Sequence, residues 1–367
     1  MFYLAGIFIA YFSSFLILGK KKKVSADYIL SLWFLIIGIH LTLFFLIFSG
    51  KYIQIPYLLG LEIPLPLIHG PILYVYILSL TKQRPHRYLW SLHFLPVLAI
   101  YLILWDFFRL PPKEKISVYQ NGGLMYQELR KNINVLIYLS GFLYICLSIF
   151  SLQKYKKNIA KQYSNIEKIN LNWVYYLIIG ISVVWILIIL KDDTITFTSV
   201  VVFVLLAAYF GISKAGILNL PEIKTNIETE NIPEESEISV KYQKSSLSEE
   251  AIRMIYENLA YKMKSEKLFK DPELNLNTIA STLEIHPNIL SQVINSIENK
   301  NFYDYINTQR IEEFKRIAVL PENQKFTILS LALESGFNSK TSFNRNFKKY
   351  VKCSPRDFLK EQNLDME

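Results

Sequence analysis

Asn288, Ser291, Gln292 and Asn295 are uncharged polar side chains set at three- and four-residue steps along one short stretch of the chain. On a helix those steps share one face. A side-chain amide carries a donor and an acceptor in one plane, the chemistry that pairs bidentately with the adenine edge in a DNA major groove. A second set, Lys340, Thr341, Asn344, Arg345, Lys348 and Lys349, repeats the pattern with charge added. An arginine fork matches guanine, and lysine and arginine neutralise phosphates. Between Lys325 and Lys360 eight basic residues stand against Glu334 and Asp357, a local charge of +6. These ten side chains form the candidate DNA-binding set, with double-stranded DNA as the partner.

Two short helices at a tight turn are needed to present each set. Asn275 is an N-cap for a helix through Leu283, Glu284 to His286 form the turn, and Pro287 at the first helical position restarts the chain. Ile289, Leu290, Val293 and Ile294 then face inward and leave the amide set outside. The same arrangement recurs where Thr327 caps ILSLALES, Gly336 supplies a left-handed turn position and Ser339 caps KTSFNRNFKKY, with Phe343 and Phe347 as the buried stripe. The sequence thus predicts two helix-turn-helix units, 275–296 and 327–350, joined by a long helix from Phe302 to Val319 that Pro321 stops. Ile252, Ile255, Tyr256, Leu259 and Met263 predict a further helix ahead of them, opening a domain over 247–367.

The segment ILSLALESGFNSKTSFNRNFKKYVKCSPRDF resembles the second helix-turn-helix of the AraC/XylS family of bacterial transcription regulators, and the resemblance extends over about Leu247 to Lys360. It implies two units that place recognition helices in successive major-groove turns on one face of DNA. It also implies that Asn288, Ser291 and Gln292 from the first unit, and Lys340, Thr341, Asn344 and Arg345 from the second, approach DNA. Three positions depart from the family pattern. Phe314 stands where alanine is usual, Asn301 where glycine is common, and Lys352 replaces the glycine after the last recognition helix.

The rest of the chain has a different character. Of 367 residues 51% are apolar and 14% aromatic, too greasy for an ordinary soluble protein and incompatible with disorder or a collagenous chain. Cys146 and Cys353 are the only cysteines, so no disulfide framework or cysteine-based zinc site is available. Through Leu220 there are 20 Lys and Arg against 8 Asp and Glu, so much of the basic surplus sits in the apolar half and is not by itself a nucleic-acid footprint.

Apolar runs at 2–19, 26–48, 63–80, 89–105, 133–150, 173–190 and 194–210 predict seven membrane helices, with the third crowded by Pro64, Pro66 and Pro71. The predicted fold class is therefore all-α, a seven-helix transmembrane bundle over 1–218 followed by the tandem helix-turn-helix domain. Lys20 to Lys23 follow the first run rather than precede it, unlike a cleaved signal peptide. They place its C-terminal end inside; alternation then gives twelve basic residues in the inner loops against seven in the outer ones, with the N-terminus outside. The expected location is a bacterial inner (cytoplasmic) membrane, multi-pass, with a cytoplasmic C-terminal domain. The acidic stretch 219–246 reads as a solvated linker.

Ionisable groups inside a bilayer are costly and mark candidate sites. Here they are His40, Glu62, His69 and His93. Glu62 and His69 flank the proline-rich stretch and could line a pocket for a small polar or cationic ligand; the plainer expectation is that they hydrogen-bond neighbouring helices. The chain has no phosphate loop, HExxH pair, nucleophile elbow or kinase signature, so no catalytic residue, metal site or cofactor is expected, and the protein is not expected to be an enzyme. The leading expectation is a membrane-embedded one-component regulator responding to an unknown small-molecule or membrane signal, compatible with a homodimer. A transporter or channel with a regulatory cytoplasmic domain is the alternative.

Overall fold

The seven apolar runs are all helical, but they differ in reach. The computed structural model describes residues 2–83, 89–167, 169–190, 193–214 and 247–362; the expected linker and Arg84, Arg87, Lys168 and Lys191 lie outside these residues. Among them the chain is all-helical, without a strand beyond one isolated bridge between Tyr163 and Asn275. It divides into two compact units, one of Met1–Tyr155 and Leu171–Pro221, the other of Lys156–Asn170 and Glu222–Glu367.

The first unit contains α1 (Phe2–Leu18), α2 (Ser25–Phe48), α3 (Pro66–Leu80), α4 (Leu95–Ile103), α5 (Trp105–Arg109), α6 (Pro112–Gln120), most of α7 (Gln127–Gln162), α8 (Val174–Leu190) and α9 (Asp193–Lys214). Three helical stretches, Ser25–Phe48, Leu124–Gln162 and Ile195–Ser213, are long and apolar enough to cross a membrane. Four others, Tyr3–Leu18, Pro66–Leu80, Leu89–Ile103 and Val174–Leu190, are apolar but shorter. Proline explains part of the difference. Pro64 and Pro66 hold back the start of α3 after a 3-10 turn at Pro56–Leu58, and Pro96 starts α4 after six residues of 3-10 helix.

These helices pack by close approach. A Cβ at Gly38 would meet the Tyr11 ring at 2.8 Å, so glycine there lets α2 lie this close to α1, and Gly211 of α9 faces the end of the Leu30 side chain. Polar groups turn inward and find partners. Ser14 and Ser31 hydrogen-bond at 2.9 Å, and Lys20 donates to Asp27 at 2.7 Å and to the Gly211 carbonyl at 2.6 Å. The outward side chains are apolar: Phe8, Phe15, Leu102 and Phe142 are 65%, 68%, 71% and 72% exposed.

The second unit contains α10 (Glu249–Ser265), α11 (Leu276–Thr282), α12 (Pro287–Glu298), α13 (Phe302–Ala318), α14 (Ile328–Glu334), α15 (Lys340–Val351) and α16 (Pro355–Glu361). It has two cores strung on one helix. Phe302, Tyr305 and Ile306 of α13 pack with Leu259, Ile279, Leu290 and Ile294 in the first. Ile311, Phe314 and Ile317 of the same helix pack with Leu331, Phe337, Phe343 and Phe347 in the second.

Candidate nucleic-acid interface

Each helix of the second unit starts where a side chain can cap it. Asn275 accepts from the Thr278 amide at 3.0 Å to start α11, and His286 accepts from the Asn288 amide at 3.2 Å, with Pro287 in the first turn of α12. Thr327 caps α14, and Ser339 caps α15 through the Ser342 amide at 3.1 Å. Glu284 takes the left-handed turn position of the first helix-turn-helix at φ 56°, and Gly336 that of the second at φ 97°. A Cβ on Gly336 would lie 2.5 Å from the Phe269 carbonyl oxygen, so this turn requires glycine twice over, by conformation and by space.

Both helix pairs expected from the sequence are therefore present, with α12 and α15 as second helices. Leu290, Val293 and Ile294 are buried on α12, and Ile289 is half-buried. Asn288, Gln292 and Asn295 are exposed, and Ser291 is half-buried. On α15, Phe343 and Phe347 are buried while Lys340, Thr341, Asn344, Arg345, Lys348 and Lys349 are exposed. All ten candidate residues thus lie on the polar faces of the two second helices.

The three departures from the family pattern each have a local reason. Phe314 is fully buried, its ring 4.6 Å from that of Phe343 and 5.6 Å from that of Phe347, so it fills the second core where a smaller residue would leave space. Asn301 is the N-cap of α13 and accepts from the Asp304 amide at 2.9 Å. Lys352 takes the left-handed C-cap position at φ 72°, a conformation glycine adopts without strain.

Sequence reasoning missed the polar network that fixes these helices. Arg310 of α13 is buried and donates to the carbonyls of Phe269 and Asp271, each at 2.7 Å, and to Ser164 Oγ at 3.0 Å. Burial draws its pKa down to about 10, with Asp271 pulling the other way, so it stays charged at neutral pH. Tyr303 Oη accepts from Arg345 at 3.0 Å and from Asn346 at 2.8 Å; Asp304 accepts from Lys349 at 2.6 Å and from the Tyr350 hydroxyl at 2.7 Å. These bonds set the rotation of α15 about its axis. Tyr303 and Asp304 carried no motif that could have singled them out.

Also unforeseen was the part played by Lys156–Asn170, the last residues of α7 and the stretch after it, which belong to the second unit. Ser164 donates its amide and hydroxyl to the Leu274 carbonyl at 3.2 and 2.6 Å, and its own carbonyl accepts from Asn307 at 3.0 Å. The Glu167 carboxylate accepts from Ser339, the cap of α15, at 2.5 Å.

The comparisons with known proteins meet this geometry at its centre. Residues 279–361, from α11 through α16, match the family described as "Helix-turn-helix domain". The match makes this region a helix-turn-helix domain and supports an AraC-type one. The melibiose operon regulatory proteins of Escherichia coli strains K12 and O6:H1 are each 30% identical to the chain over 90 residues, covering 24% of the chain and 29% of the regulator. The chain thus spans under a third of the length of those relatives. A solved structure of a Listeria innocua protein of unknown function is 24% identical, covering 29% of this chain and 96% of that one at a TM-score of 0.25.

Proposed function

We propose that the protein is a membrane-embedded one-component transcription regulator: the first unit lies in a bacterial inner membrane as a seven-helix sensor with its N-terminus outside, and the cytoplasmic AraC-type domain binds promoter DNA through the ten residues on α12 and α15. The observation that carries this reading is that one chain joins that domain to a unit whose outward side chains are apolar. Arg345 and Asn344 supply base or phosphate contacts, and Lys340, Lys348 and Lys349 neutralise phosphates.

The segment Lys156–Asn170 supplies a route for the signal. It follows the apolar part of α7 and precedes α8, yet its Ser164 and Glu167 bind Arg310 and Ser339 of the DNA-binding domain. A helix N-terminus favours an anion, and DNA-binding helices use such ends for phosphate. Glu167 holds that place with a carboxylate that repels phosphate. A shift of α7 or α8 that withdraws Glu167 frees the cap of α15 for DNA.

Genome-wide crosslinking of the full-length protein to DNA in its own cells tests the reading, with the Asn344→Ala, Arg345→Ala double variant as control. Discrete peaks upstream of genes, lost in the variant, are expected; no peaks under any growth condition would contradict it. Arg345→Ala alone weakens binding by about 1–3 kcal/mol if the side chain reads a base. Glu167→Gln tightens DNA binding by about two- to fivefold, the range that one charge at a helix end supports. Unchanged affinity in Glu167→Gln removes the relay and leaves the DNA-binding role standing.

A further inference from the structure

Within the first unit a cavity of about 640 Å3 is lined by residues of α2, α3 and α5 to α9. Its size is that of sites for drug-sized molecules. The exposed residues of its lining are Phe48, Gly122 and Arg130, where α2 ends and α7 begins, so the cavity opens there. That is the end of the bundle which the basic-residue bias places outside. Buried apolar side chains line the interior, among them Ile137 of α7, Ile181 and Trp185 of α8 and Phe203 of α9.

The polar groups of the lining differ in what they have left to give. Glu62 is its one carboxylate, and its oxygens are taken by the Tyr119 hydroxyl and the Gly60 amide. His40 and His69 hydrogen-bond each other at 3.0 Å. Both residues that the sequence offered for a ligand, Glu62 and His69, thus line the cavity but are already bonded within the protein. Tyr126 and Thr196 are neutral.

The remaining polar set lies on α7. Arg130, Asn134 and Tyr138 follow one another at four-residue steps, so they share one face of that helix, and all three line the cavity. The guanidinium itself is at the wall. Its Nη1 donates to the Gly122 carbonyl at 3.1 Å and stands 3.9 Å from the place of a Cβ on Gly123, and both glycines are lining residues. A guanidinium has five N–H donors. That one bond is all that Arg130 makes among the described residues, and its neighbour Glu128 is held by Lys131 at 2.7 Å. The half-buried Asn134 amide and Tyr138 hydroxyl make no hydrogen bond among the described residues. Unused donors beside an apolar chamber suit an anion with a greasy body. Its charge belongs at the mouth, next to Arg130, because the buried Glu62 repels an anion placed deeper.

The geometry points to a binding site for an amphiphile with an anionic head, a carboxylate or a phosphate, held at the mouth by the Arg130 guanidinium and the Asn134 amide while a hydrocarbon chain runs inward past Tyr138 to Ile181, Trp185 and Phe203. An arginine fork matches the paired oxygens of such a head. This deepens the sensor half of the regulator reading and rests on it for the side on which the cavity opens. A bound chain ties α7 to α8 and α9, and α7 runs into the segment that reaches the DNA-binding domain. A free fatty acid and the acidic head of a bilayer lipid share this chemistry.

The test uses full-length protein in phosphatidylcholine nanodiscs and hexadecanoic acid bearing a diazirine in its chain, with the methyl ester of the same probe as the uncharged comparison. Crosslinked residues are mapped by mass spectrometry. The acid is expected to label cavity residues, and Arg130→Gln to lower that labelling about tenfold, the scale of a hydrogen bond to a charged group, while the ester's labelling stays the same. Arg130→Lys, which keeps the charge, retains most of it, and Asn134→Ala lowers it about threefold. Arg130 is exposed, so its replacement leaves the packing in place, which the ester's labelling reports. Displacement of the probe by unlabelled hexadecanoic acid but not by phosphatidylglycerol assigns a free acid; displacement by both assigns the head of a bilayer lipid. Acid labelling unchanged in Arg130→Gln, equal loss of acid and ester labelling in that variant, or labelling confined to the outward apolar faces would each overturn the proposal. DNA crosslinking in cells reads the regulator proposal separately: a labelled cavity without DNA peaks fails that reading alone, and peaks without a labelled cavity fail this one alone.

Discussion

The two units are built from the same element by opposite rules. In the AraC-type unit all seven helices from α10 to α16 begin at a residue whose side chain accepts from the backbone: Ser248, Asn275, His286, Asn301, Thr327, Ser339 and Ser354. In the first unit the caps of α2 to α6 are Val24, Leu65, Phe94, Leu104 and Pro111, and none makes such a bond. The AraC-type unit buries rings of phenylalanine and shows amides and cations outside; the first unit turns serine, histidine and a Lys20–Asp27 pair inward and shows phenylalanine and leucine outside. A helix in water must be ended by local chemistry, because solvent competes for its backbone groups.

The largest test of this contrast is Arg310→Met. It leaves the Phe269 and Asp271 carbonyls without their donor and is expected to destabilise the AraC-type unit by about 3–5 kcal/mol, as removal of one member of a buried charged network does. Hydrogen exchange on the full chain should show protection lost from α11 to α15 and retained in α2 and α9. Loss in both units would mean that they do not unfold independently. Next is Phe142→Asp, at the middle of α7 on the outward face. In lipid it costs about 2.5–3.5 kcal/mol at a helix centre, read as reduced membrane insertion. Full insertion would break the contrast, because that face would then be facing water or protein.

Smaller effects sharpen the comparison. Thr327→Ala removes a cap and should cost about 1 kcal/mol, while Leu65→Ala at the start of α3 removes no capping bond. Equal shifts in local hydrogen exchange at α14 and α3 would show that capping does not separate the units. The smallest effect is with pH. Arg316, followed by Lys267, holds the Glu313 carboxyl down at about 2 against an ordinary 4.5. A depressed carboxyl stabilises the fold above its unfolded value, and the contribution fades as pH falls through the folded one. Acid unfolding of the AraC-type unit should therefore lose a component between pH 4.5 and about 2, and Glu313→Gln should abolish it.

Much of the AraC-type unit was legible because its signals are local. Asn275, Thr327 and Ser339 as caps, Pro287 in a first turn and Gly336 in a left-handed turn act within four residues of themselves, and the helix periodicity then put Asn344 and Arg345 outside. In the first unit the apolar runs located the helices but not their ends. Prolines shortened α3, and the fourth run broke into 3-10 helix, α4 and α5. His40 was noticed as a residue, but its unsatisfied Nε2 depends on Trp33 and His69, twenty-nine residues from His40 to His69 along the chain.

By itself, then, the sequence determined what each stretch of backbone does: where it is helical, where it is capped, which side of each helix is greasy and which carries amides and cations. These are short-range preferences, fixed by sterics and hydrogen bonding within a turn or two. Tertiary structure alone decided which distant groups meet. It brought Ser164 and Glu167 from beyond α7 to Arg310 and Ser339, across 146 and 172 residues of chain, and gathered residues of α2, α3 and α5 to α9 around one cavity. Such meetings depend on how whole helices pack, and many different sequences with the same local pattern could have packed without them.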